Sequence, residues 1–277
     1  MVMGSFLHDS RATGVGPPPY AGLMCGRYAS SRKPEDLVEE FEVVDSRLVS
    51  PLEADYNVAP TKEVYAVMQR KPSRDSVEEP RRQLRALRWG LVPSWAKDAA
   101  IGNRMINARM ETVAEKPAYK RAFASRRCLL PADGYFEWYA TSALTSAGKP
   151  RKQPYFIRPA DGGVLAMAGL YEIWRVPTRD PDDTDDPARL LWTCTVLTTQ
   201  AEDSLGHIHD RMPLMVEPDR WAAWLDPDAT GADDLLSLLV PAAPGRLEAF
   251  PVSTLVSNVR NNGPELVEPI PLEESLQ

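Results

Sequence analysis

Cysteine is scarce in this chain: Cys25, Cys128 and Cys194 are the only three in 277 residues. They are widely spaced, odd in number and contain no Cys-x-x-Cys pair, which argues against a zinc site and a disulfide framework. A reducing cytoplasm fits that usage best. No apolar run of about 18 residues is present, so nothing reads as a membrane span. The first residues lack a basic stretch followed by a long apolar one, so they do not read as a secretory signal. There is no internal repeat. Net positive charge is also missing: the formal charge is −7, which argues weakly against a nucleic-acid partner, although distribution matters more than the sum. Asp180, Asp182, Asp183, Asp185 and Asp186 gather in one loop-like block. Between Arg104 and Arg127 the balance reverses, with Arg104, Arg109, Lys116, Lys120, Arg121, Arg126 and Arg127 against Glu111 and Glu115. That stretch allows a basic face on an acidic protein.

What is present begins with Met24-Cys25-Gly26-Arg27-Tyr28. Residues 1–24 contain Gly14, Gly16, Pro17, Pro18 and Pro19 and read as a poorly packing leader. Translation from Met24 or proteolysis of the leader would each expose Cys25. An N-terminal cysteine carries a thiol and a free amine on adjacent carbons. The amine condenses with an aldehyde to an imine, and the thiol then closes a five-membered thiazolidine ring. An internal cysteine cannot, because its nitrogen is an amide. Ordinary pKa values near ~8 for the amine and ~8.5 for the thiol leave useful fractions of both reactive at neutral pH.

The length suits one large domain or two small ones, and a hydrophobic content of 43% is ordinary for a globular chain. Pro34 opens a short amphipathic helix through Phe41. Strands are expected at 63–69, 83–89, 127–130, 135–139, 154–158, 164–174, 190–198 and 249–253. Helices are expected at 111–124, interrupted near Pro117, and at 218–226 and 232–239. The segments 141–150 and 177–189 read as insertion loops. Strands cluster centrally without alternating with helices, which favours α+β over a doubly wound sheet.

Four segments combine reactive and anchoring groups: CGRY at 25–28, INAR at 106–109, GYFEWY at 134–139 and HIHDRMP at 207–213. With YNVAPT (56–61), RWGLVPSWAKD (88–98), KQPYFI (152–157) and PVSTLVSNVRNNGPEL (251–266), they resemble the SRAP family of abasic-site processing proteins. The resemblance runs from Cys25 to about Pro269. It implies one domain over 25–270 with a largely antiparallel, barrel-like β core flanked by helices, followed by a tail at 271–277. It implies a partner too, single-stranded DNA carrying an abasic site, whose ring-opened sugar is the aldehyde that an N-terminal cysteine cross-links. No metal, cofactor or membrane is implied. The expectation is a cytoplasmic monomer, nucleoid-associated when bound to DNA. Members begin at the cysteine, so the leader is the chief departure. The family is also described as peptidases, which suggests that Cys25 attacks the Met24 carbonyl and removes the leader itself.

By the resemblance, Cys25, Asn107, Glu137 and His209 are the catalytic set. Glu137 lies between Phe136 and Trp138, where a desolvated carboxyl would have a raised pKa and could move protons; read locally, a strand Glu facing solvent is as good. His209 brings an imidazole, a side chain suited to proton transfer, with His207 as its decoy. Asn107 orients by hydrogen bonds, or is merely a strand-end residue. Arg27, Arg109 and Arg211 are expected to grip phosphates. Trp95 and Trp138 are expected to stack on or wedge beside bases, with Pro60 in the same wedge; Trp89 fits a core as well. Imine chemistry also permits β-elimination, an AP-lyase side reaction. Two rivals remain: a cysteine hydrolase acting on proteins through Cys25 and His209, and a non-covalent single-strand binder.

Overall fold

The computed structural model describes residues 25–71, 76–177, 186, 189–201 and 205–271. The expected leader, nearly all of the tail and most of the 177–189 loop lie outside the described residues. The first half runs β1 (Tyr28–Ser30), α1 (Pro34–Glu40), β2 (Asp45–Ser46), β3 (Asp55–Val58), β4 (Glu63–Arg70), β5 (Arg81–Trp89), β6 (Asn107–Arg109) and α2 (Lys120–Ser125). The second runs β7 (Arg127–Ala132), β8 (Gly134–Leu144), β9 (Pro150–Pro159), β10 (Leu165–Arg175), β11 (Leu190–Gln200), β12 (Arg211–Pro213), α3 (Trp221–Leu225), α4 (Ala232–Ser237) and β13 (Leu247–Pro251).

Side chains on a strand alternate between its two faces, so a strand apolar on both must be covered on both. Strand β4 is such a case. Its Val64, Ala66 and Met68 join Leu87, Trp89, Cys128, Leu130 and Cys194 in one cluster. Its Tyr65 and Val67 join Leu84, Leu129, Ala168 and Leu170 in another, packed with residues of all four helices. The strands β11, β10, β7, β4 and β5 pair in that order, all antiparallel. A parallel return of β5 to β11, through Arg88↔Thr193 and Trp89↔Cys194, closes a five-stranded barrel. Closure removes the exposed edges of those strands. At Gly169 the packing leaves no room for a side chain: a Cβ there would stand 2.9 Å from Cys128 Sγ.

Strand β11 is long enough to hold more than the barrel. Beyond its pairing with β10 it takes β12 at Thr198↔Pro213, and on the other edge it takes β6 at Val196↔Asn107 and Thr198↔Arg109. A second sheet runs β13-β9-β8-β1-β3. It meets the barrel where the Tyr28 ring lies edge-on to Trp89, 5.1 Å between centroids. The α+β class with a barrel-like antiparallel core is the fold observed, and Trp89 is a fully buried core residue.

Three expectations need correction. The helix expected over 111–124 is a single 3₁₀ turn at Met110–Thr112 followed by α2. Pro117 lacks an N–H and biases Lys116 away from helical geometry, so the two pieces do not join. The segment 141–150 is not all loop: β8 and β9 extend into it, and only a short turn remains, closed by Thr145 N–H to Lys149 O at 2.7 Å with Gly148 at φ +71°. Arg127 adds nothing to a basic face. It is buried, donating from Nε to Trp224 O (2.7 Å), from Nη1 to Phe123 O (2.8 Å) and from Nη2 to Ala229 O (2.9 Å). Burial lowers its pKa to about 10. Arg104, Arg109, Lys116, Lys120 and Arg121 do stay exposed.

Candidate active site

Cys25 lies one short turn before β1, in the left-handed region at φ +44°, which is uncommon for a side-chain-bearing residue. It is buried, and its backbone N–H donates to Glu137 Oε1 at 2.8 Å. That bond joins residues 112 positions apart. It forms because β1 pairs with β8, placing Tyr28 opposite Tyr135 and bringing the chain before β1 alongside Glu137. Cys25 Sγ lies 3.8 Å from Arg211 O on β12. Asn107 on β6 reaches over with Nδ2, 3.5 Å from Cys25 O. The site is therefore assembled where the C-terminal end of β11, flanked by β6 and β12, meets β1 and β8 of the second sheet.

Glu137 is only 3% exposed, on a strand whose Phe136 points into an apolar cluster with Phe156 and Val252. Burial raises its pKa; the positive field of His209 and the hydrogen bonds from Cys25 pull the other way. The Cys25 thiol is pushed well up as well, by burial first and then by the adjacent Glu137 carboxylate, so it is a neutral thiol here. His209 Nδ1 accepts the Arg211 N–H at 3.1 Å, while Asp210 Oδ1 stands 3.0 Å from the same nitrogen. One nitrogen cannot accept from Arg211 and donate to Asp210 at once. The neutral ring fits the first contact with its proton on Nε2; the protonated ring fits the second. His207 is exposed and lies edge-on to Tyr139, outside this cluster.

The other expected residues divide. Arg27 is half-buried beside the site, donating from Nη1 to Asn57 Oδ1 (2.6 Å) and Val256 O (2.9 Å), with its guanidinium 5.6 Å from the Trp138 ring centroid. Burial lowers its pKa, opposed by Asp55. Trp138 is half-buried, its Nε1 donating to Ser257 Oγ at 3.0 Å. Arg211 is paired with Glu111, at 2.5 Å to Oε1 and 3.0 Å to Oε2, and donates to Thr198 O at 2.6 Å. Arg109 ends β6 and is exposed. Pro60 is half-buried, just before Thr61, whose φ is +76°. Trp95 is 60% exposed. Its loop docks on the flank of the barrel through Val92 N–H to Thr193 Oγ1 and Trp174 Nε1 to Ala96 O, and Lys97 and Arg104 line a shallow hollow beside it. None of those contacts involves Cys25, Asn107, Glu137 or His209.

With this geometry in place, comparison with known proteins is decisive. Residues 24–259 match the family described as SOS response associated peptidase (SRAP). The chain belongs to the SRAP family. It is similar to the abasic site processing protein YoqW of Bacillus subtilis (strain 168), 37% identical over 245 residues covering 88% of this chain and 99% of that protein. It is similar to YedK of Escherichia coli (strain K12), also named an abasic site processing protein, at 31% identity over 89% of this chain and 100% of that one. A crystal structure of a Bacteroides thetaiotaomicron protein shares the fold, with a TM-score of 0.71 at 24% identity over 89% of this chain and 100% of that one.

Two residues of this SRAP chain matter to the site beyond those expected. Asn57 is fully buried and donates through Nδ2 to Val256 O (3.2 Å), Asn258 O (3.0 Å) and Asn261 O (2.9 Å) while accepting from Arg27. It fastens the 254–261 segment, and with it Ser257 under Trp138. Glu111 neutralises Arg211. Asn57 stands in a recognisable motif, but its three acceptors lie about two hundred positions downstream, where no local pattern reveals them. Glu111 is one of two acids in the basic run, and nothing beside it in sequence marks Arg211 as its partner.

Proposed function

We propose that this SRAP chain, once it begins at Cys25, captures the ring-opened aldehyde of an abasic site in single-stranded DNA as a thiazolidine. The observation that carries the reading is Glu137 Oε1 at 2.8 Å from the Cys25 nitrogen. When that nitrogen is an α-ammonium, Glu137 is placed to take its proton and free the lone pair. The amine adds to the aldehyde carbon to give a carbinolamine. Glu137 returns the proton to the departing hydroxyl, and water leaves as the imine forms. The thiol then adds to the imine carbon, its proton passing to the nitrogen. Aldehyde and aminothiol thus become thiazolidine and water. A carboxyl whose pKa is raised by burial is better matched to an amine than an ordinary one, which favours proton movement in both directions. His209 is assigned proton transfer at the sugar or contact with the adjacent phosphate, and reversal of the linkage. Asn107 orients Cys25. Arg27, Arg109 and Arg211 are assigned to phosphates; Arg211 would exchange Glu111 for one. Trp95 and Trp138 are assigned to stack on or wedge beside bases, with Pro60 in the same wedge. Loss of the C3 phosphate from the imine is the lyase side reaction.

The same contact supports removal of a leader by the chain itself, with 1–24 as the leader and 25–270 as the working domain. The Cys25 thiol adds to the Met24 carbonyl, Glu137 protonates the departing Cys25 nitrogen, and water hydrolyses the resulting thioester. The products are a Met24 carboxylate and a free aminothiol. We assign the chain as a monomer working in the cytoplasm on nucleoid DNA.

The test uses protein beginning at Cys25 and an oligonucleotide with one abasic site. A heat-stable shifted band on a denaturing gel is expected, absent when the Cys25 amine is blocked or in Cys25→Ala. A band that survives blocking eliminates the aminothiol route.

A further inference from the structure

The closed barrel has two mouths, and the site described above occupies one. The other lies at the opposite end of the same strands. From Thr198 back to Trp192 along β11 is six residues, roughly 20 Å at about 3.3 Å per residue. Strand β5 runs parallel to β11, while β4 and β10 run antiparallel to β5 and β11 respectively. That places Arg85 of β5, Arg70 of β4, Tyr171 of β10 and Trp192 of β11 together at this far end.

These residues have the parity of the barrel interior. Arg70 follows Val64, Ala66 and Met68; Arg85 precedes Leu87 and Trp89; Trp192 precedes Cys194 and Val196. Two guanidiniums lie over the Trp192 ring, Arg85 at 4.3 Å and Arg70 at 4.8 Å from its centroid. Tyr171 stacks with the same ring at 6.0 Å and 16°. Arg70, Arg85 and Trp192 are half-buried, so the mouth is partly desolvated yet open.

Among the described residues of this mouth the charges do not cancel. Burial, then the Arg70 and Arg47 cations, lower the Arg85 pKa. Asp45 opposes that shift, but its carboxylate is held by Arg47 at 2.8 Å and by Gln83 Nε2 at 3.0 Å. Arg126 is paired with Glu172. Arg85 spends Nε on Gln83 Oε1 at 3.0 Å. Among the described residues no carboxylate forms an ion pair with Arg70 or Arg85. Two like charges held against one ring, with N–H groups to spare, match the oxygens of a single anion in charge and geometry. Because guanidiniums and Tyr171 already cover the Trp192 ring, recognition falls to the N–H groups and not to stacking of a base.

We propose that this far mouth, formed by Arg70 and Arg85 over Trp192, is a second anion site that takes a phosphate group. The phosphate is either free or part of a nucleic-acid strand passing the barrel. The site does not depend on the aldehyde chemistry of Cys25.

The experiment compares the full chain with Arg70→Gln/Arg85→Gln. Binding of inorganic phosphate is followed by equilibrium dialysis, and binding of an undamaged single-stranded oligonucleotide by anisotropy over a salt series. Phosphate affinity is expected to fall by about tenfold or more in the variant, the scale of losing one charge-assisted hydrogen bond. Cross-linking at Cys25 should be unchanged. If strand affinity also falls, and its salt slope drops by about 0.7 per lost contact, the strand is the source. If strand binding is unchanged, the free anion is. Independently of any variant, phosphate should protect Arg70 and Arg85 of the native chain from dicarbonyl modification, read by mass spectrometry. Equal phosphate binding in both proteins, or modification of both arginines that phosphate does not slow, overturns the proposal.

Discussion

At the scale of the residue, Glu137 carries two opposing demands. On the proposed chemistry its carboxylate must be ionised to accept a proton from the Cys25 amine, yet burial favours the protonated form. A pKa raised in the folded state means that the native protein binds this proton more tightly than the unfolded chain. Its stabilising contribution is therefore present below the unfolded pKa of about 4.3 and is lost as pH rises through the folded value. Glu137→Gln keeps an acceptor for the Cys25 N–H and has no charge to bury. We expect it to raise the thermal midpoint at neutral pH, with the gain shrinking as pH falls toward the ordinary carboxylate range; a pH series of melting curves checks this. The same variant should slow cross-linking in single-turnover gels by roughly 10²–10⁴, the usual worth of a positioned acid–base group. In the wild-type protein the rate should fall on acidification at a pH above the ordinary carboxylate range.

At the scale of the element, the site depends on strands of three or four residues. Strand β1 fixes the entry of Cys25, β6 carries Asn107, β12 carries Arg211 and β3 carries Asn57. None is long enough to show alternation, so none was legible as a strand, whereas β4, β5 and β7 to β11 were. The candidate site residues in those short segments are legible as motifs all the same. Helix α1 was readable because Pro34 marks its first turn. The 254–261 segment lies outside the named strands and is held by Asn57 and by Arg27 at Val256 O. Asn57→Ala removes one donor from each of three carbonyls, of which Val256 O keeps Arg27 and Asn258 O keeps the Asn261 N–H, and it removes one of the two acceptors of Arg27 Nη1. We expect a loss of roughly 1–3 kcal/mol in denaturant unfolding. Faster amide exchange confined to 254–261 would trace the loss to this contact.

At the scale of the whole molecule, the barrel and the second sheet share one apolar cluster through Tyr28 and Trp89. Trp89 is wholly buried, and its Nε1 donates to Ile106 O at 2.9 Å, next to Asn107. Trp89→Ala should cost about 3–5 kcal/mol, the usual range for deleting a buried tryptophan. Both sheets should melt together, with far- and near-ultraviolet dichroism giving one midpoint. Two separate transitions would show that the sheets are independent units. The electrostatic layout is also a property of the whole: a chain of net charge −7 still presents exposed Arg104, Arg109, Lys116, Lys120 and Arg121.

The sequence by itself determined the class of fold, the long strands and the family, because alternation and contiguous motifs are local properties that survive without coordinates. It also pointed to Cys25, Asn107, Glu137 and His209 as one set. Only the tertiary structure decided that Glu137 touches the Cys25 nitrogen, that Arg211 is held by Glu111, and that Arg127 is a buried clamp. It alone placed Arg70 and Arg85 over one indole. Each of these rests on contacts between residues far apart in the chain, set by barrel closure and strand register. Charge, size and neighbours in sequence do not specify which distant backbone or ring a side chain will meet.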